Sequence, residues 1–375
     1  VPEISGSRAF MYANPHLEDR LMAAMNFDMP GEDLEETDSY LRMKMTPDSR
    51  PSYLNDLIGD LLRFTDQTDI RTQTGNNAPF NYRMVPFISS SDHVVFLDAG
   101  IPAMQFNHWP DNFYHSSGDV AERTDPTEMK RTGFIGAASF FYLATAGAQE
   151  AKDLSWEAAA NGEKWMAEVA RQSARLLNTE AEDLYDRYKA AHNKIYGAFN
   201  RGKGGIASVT DLSSEPAVED LVDALTTNLE SFRDLQFEKL EGIYRYRAQE
   251  LGVSARSMAE TDEEEQWDRV IPTKRFKFYS EGYREASGRV RQLLPQGIQL
   301  PRLASTEIPW FVNGERSVTE IWRLVRAEYG NVTTANDEWK YAYVVTPETQ
   351  DVRLEDVVAY VRAMEEAGLV ESRRR

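Results

Sequence analysis

The 375-residue sequence contains no cysteine. That excludes disulfides, thiolate nucleophiles and cysteine-ligated zinc, and it leaves the redox compartment open. Histidine is scarce, with five residues, so any imidazole chemistry must come from a short set. No apolar run approaches the roughly 18 to 20 residues that a membrane-spanning helix needs. Positive charge is also in short supply: 42 Lys and Arg stand against 61 Asp and Glu, a net charge of -19. A surface of that sign repels phosphate backbones and anionic lipid, so neither nucleic acid nor a membrane is an expected partner. An initiator methionine is missing too. The chain begins at Val1 and its first residues read as the middle of a domain, so it is expected to be a piece of something longer.

What is present is enough for two or three domains with a sizeable core. Residues 7–21 have a helical look, with Ser7 as an N-cap. The apolar run through Met25 and Phe27 lacks a helical period and stops at Pro30-Gly31, which reads as a buried strand. Asp28 falls at its C-terminal end, where open α/β sheets place their ligand sites. Residues 49–66 read as an amphipathic helix with Leu54, Leu57, Leu61 and Leu62 on one face. Residues 71–87 are polar and read as a loop able to overhang a cleft. A short helix (93–99), a strand (101–106) and a long helix opened by Pro126 (126–147) follow. Strand and helix alternate, so residues 1–150 read as α/β, with too few strands for a complete sheet.

From 151 to about 300 the character is mainly helical, with GKGG (202–205) and AETDEEEQ (259–266) as loops and Glu263 to Glu265 as a solvated face. The last part, 301–375, reads as strand, Asn-Gly turn, helix, polar linker, helix and a short end.

The stretch 91–119 carries three of the five histidines and decides the function. His93 follows Ser91-Asp92 at a helix start, where both are good caps. His108 lies in an apparent loop. His16 and His192 have helical, polar surroundings. A lone histidine is more often structural or exposed than catalytic. His115 differs by its neighbours: Tyr114 offers a phenol, Ser116-Ser117-Gly118 make a tight turn, and Asp119 is placed to fold back on it.

Three blocks in order, NFDMPGED, SDHVVFLDAGIPA and NFYHSSGD, resemble the M28 family of zinc metallopeptidases, which includes co-catalytic aminopeptidases and glutamate carboxypeptidases. The resemblance covers roughly residues 1–147. It implies part of a zinc-exopeptidase α/β/α sheet domain acting on peptides with two zinc ions. Asp28 and His115 would be ligands to different zincs, with Asp92 and His93 as structural support and Tyr114 near the scissile carbonyl. Glu3 would be the ligand glutamate ahead of Gly6-Ser7, with a shortened turn. Carboxylate and imidazole suit zinc, and a metal pair activates a shared water.

The departures carry equal weight. The family's His-x-Asp is absent, and Pro2 stands where its general base belongs. Glu365-Glu366-Ala-Gly-Leu imitates the glutamate motif at the far end of the chain, but reads as a helix stop at Gly368. Residues 301–375 resemble small winged-helix-like α+β domains, with a packing or protein-contact role expected, homo-oligomer contact through the helical region included. By resemblance such proteins are exported to the periplasm or beyond the cell. The expectation is therefore a zinc-dependent exopeptidase of aminopeptidase type, incomplete in this chain and inactive alone. The alternative is a non-catalytic peptidase-like interaction domain.

Overall fold

Short strands that each carry a methionine build a four-stranded sheet in a computed structural model that describes residues 3–280, 282–330 and 351–375. Its strands are β1 (Ala24–Phe27), β2 (Tyr40–Lys44), β3 (Tyr82–Val85) and β4 (Ala103–Trp109), in the order β1-β4-β2-β3. β1 runs parallel to β4 and β2 parallel to β3, while β2 and β4 are antiparallel. The sheet is thus mixed, and β1 lies at an edge with partly exposed residues rather than as the expected buried strand.

Helices α1 (Ser5–Ala13), α2 (Leu34–Thr37), α3 (Leu54–Gln67), α4 (His93–Asp98) and α5 (Pro126–Thr145) complete this part. Leu54, Leu57, Ile58 and Leu62 of α3 are buried, and α3 packs against α5. Asp125 caps α5 by accepting from Thr127 N and Glu128 N, with Pro126 at the first turn, where its missing N–H costs nothing. A Cβ at Gly136 of α5 would lie 2.4 Å from the Phe27 ring. Glycine is what lets the helix seat that ring.

Ser7 does not cap α1, which begins at Ser5; its hydroxyl donates to Asp92 Oδ1 at 2.6 Å instead. The polar stretch 71–87 contains β3, because Tyr82, Met84 and Val85 are buried. β4 runs on to Trp109, so His108 is a buried strand residue and not a loop residue. A histidine flanked by polar residues resembles loop in one dimension, but cross-strand pairing with Leu41 draws it inside.

The helical part contains α6 (Ala148–Ala174), α7 (Leu184–Ala207), α8 (Pro216–Glu250) and α9 (Asp262–Asp268). Residues 202–205 are not a loop but lie within α7. A Cβ at Gly202 would sit 3.1 Å from Leu229 Cδ2 and 3.3 Å from Gly162 Cα, so the glycines permit close helix approach rather than a turn. The acidic run is a capping box, Thr261 with Glu264, and Glu264 is buried in an ion pair with Lys189 at 3.0 Å. It is therefore not a purely solvated face.

Then follow β5 (Val270–Lys274), α10 (Tyr283–Leu293), α11 (Arg302–Phe311), α12 (Val318–Tyr329), α13 (Leu354–Glu366) and β6 (Val370–Arg374). The segment expected to open this part as a strand is helix α11. The short end is strand β6, antiparallel to β5. Ile308, Phe311, Ile321, Val325, Val357 and Val361 share one core. Gly368, with φ +80°, lies just past α13, as a helix stop requires. The polar linker lies mostly outside the described residues.

By its internal contacts the chain divides into two compact units. Among the described residues, one contains residues 3–157 and 208–221, and the other 158–207, 222–330 and 351–375. No helix among the described residues is long and apolar enough to cross a membrane.

Candidate active site

Asp28 is the first residue past β1, and its N–H still reaches Phe106 O at 3.1 Å. The chain then turns sharply through Met29 (φ +60°) into Pro30-Gly31. His108 holds that turn: its backbone N–H donates to Met29 O at 2.9 Å and its ring Nδ1 to the same oxygen at 3.1 Å.

Behind His108 stands a buried ionic cluster. Glu128 Oε2 is 3.5 Å from His108 Nε2 without hydrogen-bond geometry, an ion pair only when the imidazole is protonated. Arg131 Nη1 donates to Glu128 Oε1 at 2.6 Å, while its Nε and Nη2 reach Ile70 O and Ala78 O, both at 2.9 Å. Burial pushes Glu128 upward, but His108 and Arg131 outweigh it and hold the carboxyl below its ordinary range. In this way α5 fixes both the Asp28 turn and the 70–78 segment.

The Asp28 carboxylate has a partner on the sheet. Gln105 Nε2 donates to Asp28 Oδ2 at 2.8 Å, and Gln105 Oε1 accepts from Lys44 Nζ at 2.6 Å and Ser90 Oγ at 3.0 Å. Lys44 is almost fully buried. Burial and then Arg42 push its amine down to about 8, against the opposing charges of Asp28 and Glu3.

Glu3 is exposed, just ahead of α1. Its charge acts on both Lys44 and Tyr114, as does that of Asp28, so both carboxylates lie within electrostatic reach of these groups. Glu32 is raised by burial first, then by Asp111, with Asp119 and Asp28 adding to it. The region is crowded with acid.

Tyr114 and His115 stack with ring centroids 3.7 Å apart, and Tyr114 meets the edge of Trp109 at 5.1 Å. Tyr114 is 42% exposed; partial desolvation, then Glu3 and Asp28, raises its phenol. His115 is exposed with φ +54°. The bonds that shape this loop run from Phe113 N–H to Asp111 Oδ1, from Ser116 Oγ to Phe113 O, and from Arg123 Nε to Gly118 O. Asp119 contributes its backbone N–H to Ser116 O.

Asp92 accepts from Ile4 N at 2.9 Å and Ser7 Oγ at 2.6 Å, tying α1 to the start of α4. His93 is fully buried, with Nε2 3.1 Å from Ile88 O and its ring edge-on to Phe87. Burial, then the charge on Lys44, pushes it down to about 3. It is a neutral core imidazole.

The donors near Asp28 are of the kind zinc takes, carboxylate oxygen and imidazole nitrogen. Asp28 has Oδ2 claimed by Gln105, with no hydrogen bond to Oδ1 among the described residues. Their number falls short. Among the described residues no three of His, Asp and Glu form a group able to hold an ion, where a closed zinc site takes four ligands and a catalytic one three.

Lys44, Ser90, Gln105, Glu128 and Arg131 belong to no motif in the sequence, and His108 stands there in what looks like a loop. The one available signal was Lys44 ending the short strand YLRMK, at a position that alternates with Arg42.

The acid-lined strand end and the Tyr-His loop lie within residues 3–139, which match the model of peptidase family M28. A "Probable zinc metalloprotease" of Leptosphaeria maculans is 27% identical over 150 residues, covering 37% of this chain and 30% of that protein. Proteins of the same description from Pyrenophora teres f. teres and Pyrenophora tritici-repentis are 31% and 30% identical over 98 residues. Each covers 23% of this chain and 20% of the relative. The match thus spans between a fifth and three-tenths of the relatives' length. No solved structure matches the chain.

Proposed function

We propose that residues 3–139 form one side of the active centre of a zinc-dependent exopeptidase of aminopeptidase type, whose remaining metal ligands and general base lie outside this chain. The observation that carries this reading is the placement of Asp28 just past β1, with one carboxylate oxygen bonded by Gln105 and its charge, like that of Glu3, reaching Tyr114. Asp28, His115 and Glu3 are the proposed ligands, Tyr114 the group near the substrate carbonyl, and Asp92, His93 and Asp119 the support. Zinc, when bound, supplies Lewis acidity and an activated water. This chain's residues orient the ligands and wall the site.

The three-part organisation at about residues 150 and 300, a winged-helix-like last part and an exported location belong to the same proposal. The test joins the natural upstream sequence to this chain, adds zinc, and measures hydrolysis of aminoacyl-nitroanilides. Hydrolysis is expected from the joined protein and none from this chain alone; a joined, folded, zinc-loaded protein that cleaves no such substrate overturns the proposal.

A second reading, a non-catalytic peptidase-like contact domain, is favoured by the lack of a three-donor group among the described residues. It predicts upstream residues unable to ligate metal at the His-x-Asp position.

A further inference from the structure

Side chains alternate along a strand, and residues paired across neighbouring strands share a face of the sheet. On the face that carries Lys44 and Gln105, the register also sets Arg42 of β2 beside Arg83 of β3 and opposite Asn107 of β4. Tyr40 and Trp109 pair next to them. Both arginines are half-buried, and like charges side by side across a sheet are destabilising. Yet neither has a carboxylate partner among the described residues, in a chain with 61 acidic residues. Their neighbours are aromatic faces instead: Arg42 lies 5.4 Å from the Trp109 ring centroid and Arg83 4.3 Å from that of Tyr40. Burial holds the Arg42 guanidinium below its ordinary value, with Tyr40 opposing.

Two buried atoms here are unused. Arg42 Nε and Asn107 Oδ1 have no hydrogen-bond partner among the described residues, and Asn107 is almost fully buried. The amide cannot be turned round freely, because its Nδ2 lies 3.4 Å from His108 O and a carbonyl oxygen can only accept. Buried donors and acceptors are rarely left unpaired, since each orphan is costly. A ligand that satisfies this corner must bring an oxyanion for the arginines and an N–H for Asn107. Sulfate has no donor. A carboxylate carried on a peptide has both.

We infer that Arg42, Arg83 and Asn107 form a binding site for a peptide carboxylate, the arginines taking the carboxylate and Asn107 Oδ1 accepting from a peptide N–H. Guanidinium forks suit a carboxylate because two parallel N–H groups meet its two oxygens. The Trp109 ring meets Tyr114 at 5.1 Å, so the site adjoins the Tyr-His loop. As a substrate subsite it rests on the peptidase reading and makes the substrates peptides with a carboxylate at this position. As a binding site it needs neither metal nor hydrolysis.

The test titrates the full 375-residue chain by calorimetry in low-salt buffer containing a chelator. The probes are Ala-Glu-Ala and Ala-Gln-Ala blocked at both ends, acetylated Ala-Gln-Ala with a free C-terminal carboxylate, and sodium sulfate. At least one carboxylate peptide is expected to bind about tenfold or more tighter than both the neutral peptide and sulfate. Which one does so tells whether the carboxylate is a side chain or a chain end. Arg42→Gln and Arg83→Gln should each weaken that binding by about 10- to 100-fold, with near-UV circular dichroism like that of the parent. Arg83→Lys should recover only part, because the charge returns without the fork. Asn107→Leu should weaken the peptide and leave sulfate unchanged.

A folded parent chain that binds neither carboxylate peptide at millimolar concentration refutes the site. So does an Arg83→Gln chain that binds within about twofold of the parent; this half-buried position guards against an Arg42 variant that fails to fold. Sulfate binding as tightly as the peptides refutes the peptide assignment. Failure of zinc-dependent hydrolysis in the joined protein leaves these titrations untouched and removes only the substrate role.

Discussion

Replacing Arg131 by Met tests whether the buried cluster behind His108 holds the Asp28 turn. Arg131 is almost wholly buried and donates to Glu128 Oε1, Ile70 O and Ala78 O. Methionine fills much of the volume but leaves a buried carboxylate without its cation and two carbonyls without donors. Breaking a buried ion pair from one side costs about 3–5 kcal/mol, and every 1.4 kcal/mol is tenfold in an equilibrium. Amide hydrogen exchange in peptides covering β4 and the first turns of α5 should therefore accelerate by roughly 10²- to 10⁴-fold.

Removing both charges, as Glu128→Leu with Arg131→Met, should recover much of the loss, because no unpaired ion then remains. The pH dependence follows from the same residue. Glu128 is held below its ordinary range in the folded state, so its stabilisation is fully present above the unfolded carboxyl value and lost as pH falls through the folded value. Glu128→Gln should flatten that acid limb. An Arg131→Met chain whose β4 exchange rises less than about tenfold, or a double variant no better than the single, would refute the argument.

His93, pushed down to about 3 by burial and by Lys44, binds no proton in the fold at pH values where the unfolded chain does. Stability should thus decline as pH falls from about 6.5 toward 3, by up to about 1.4 kcal/mol per unit, and His93→Gln should remove that share of the slope in urea titrations at stepped pH. Gly202→Val should destabilise the helical part by roughly 1–3 kcal/mol, since the first added carbon already meets Leu229 and the Gly162 backbone. A melting temperature within one degree of the parent would contradict it.

Much of the α/β part could be read along the chain. Leu54, Leu57 and Leu62 repeat at the helical period and are buried in α3, and Asp125-Pro126 announces α5 by local chemistry alone. Short strands were harder. β2 has five residues and β3 four, too few for a period to rise above composition, and what makes them strands is their pairing with distant segments. GKGG misled for the same reason. Glycine marks a turn in isolation, whereas here it serves a helix crossing that exists only once Gly162 and Leu229 arrive.

The sequence by itself determined the order of the three blocks around Asp28, His93 and His115, because residue type and spacing are properties of the chain. It also showed that no cysteine chemistry is possible. Only the tertiary structure decided what those residues touch. Lys44 and Gln105 are 61 positions apart and meet through strand register. His108 becomes a core residue because β4 pairs on both sides. Asp92 reaches back to Ile4 and Ser7 across more than eighty residues. Side-chain orientation at the Asp28 carboxylate is set by those long-range bonds, and a linear pattern contains no information about which distant donor will arrive.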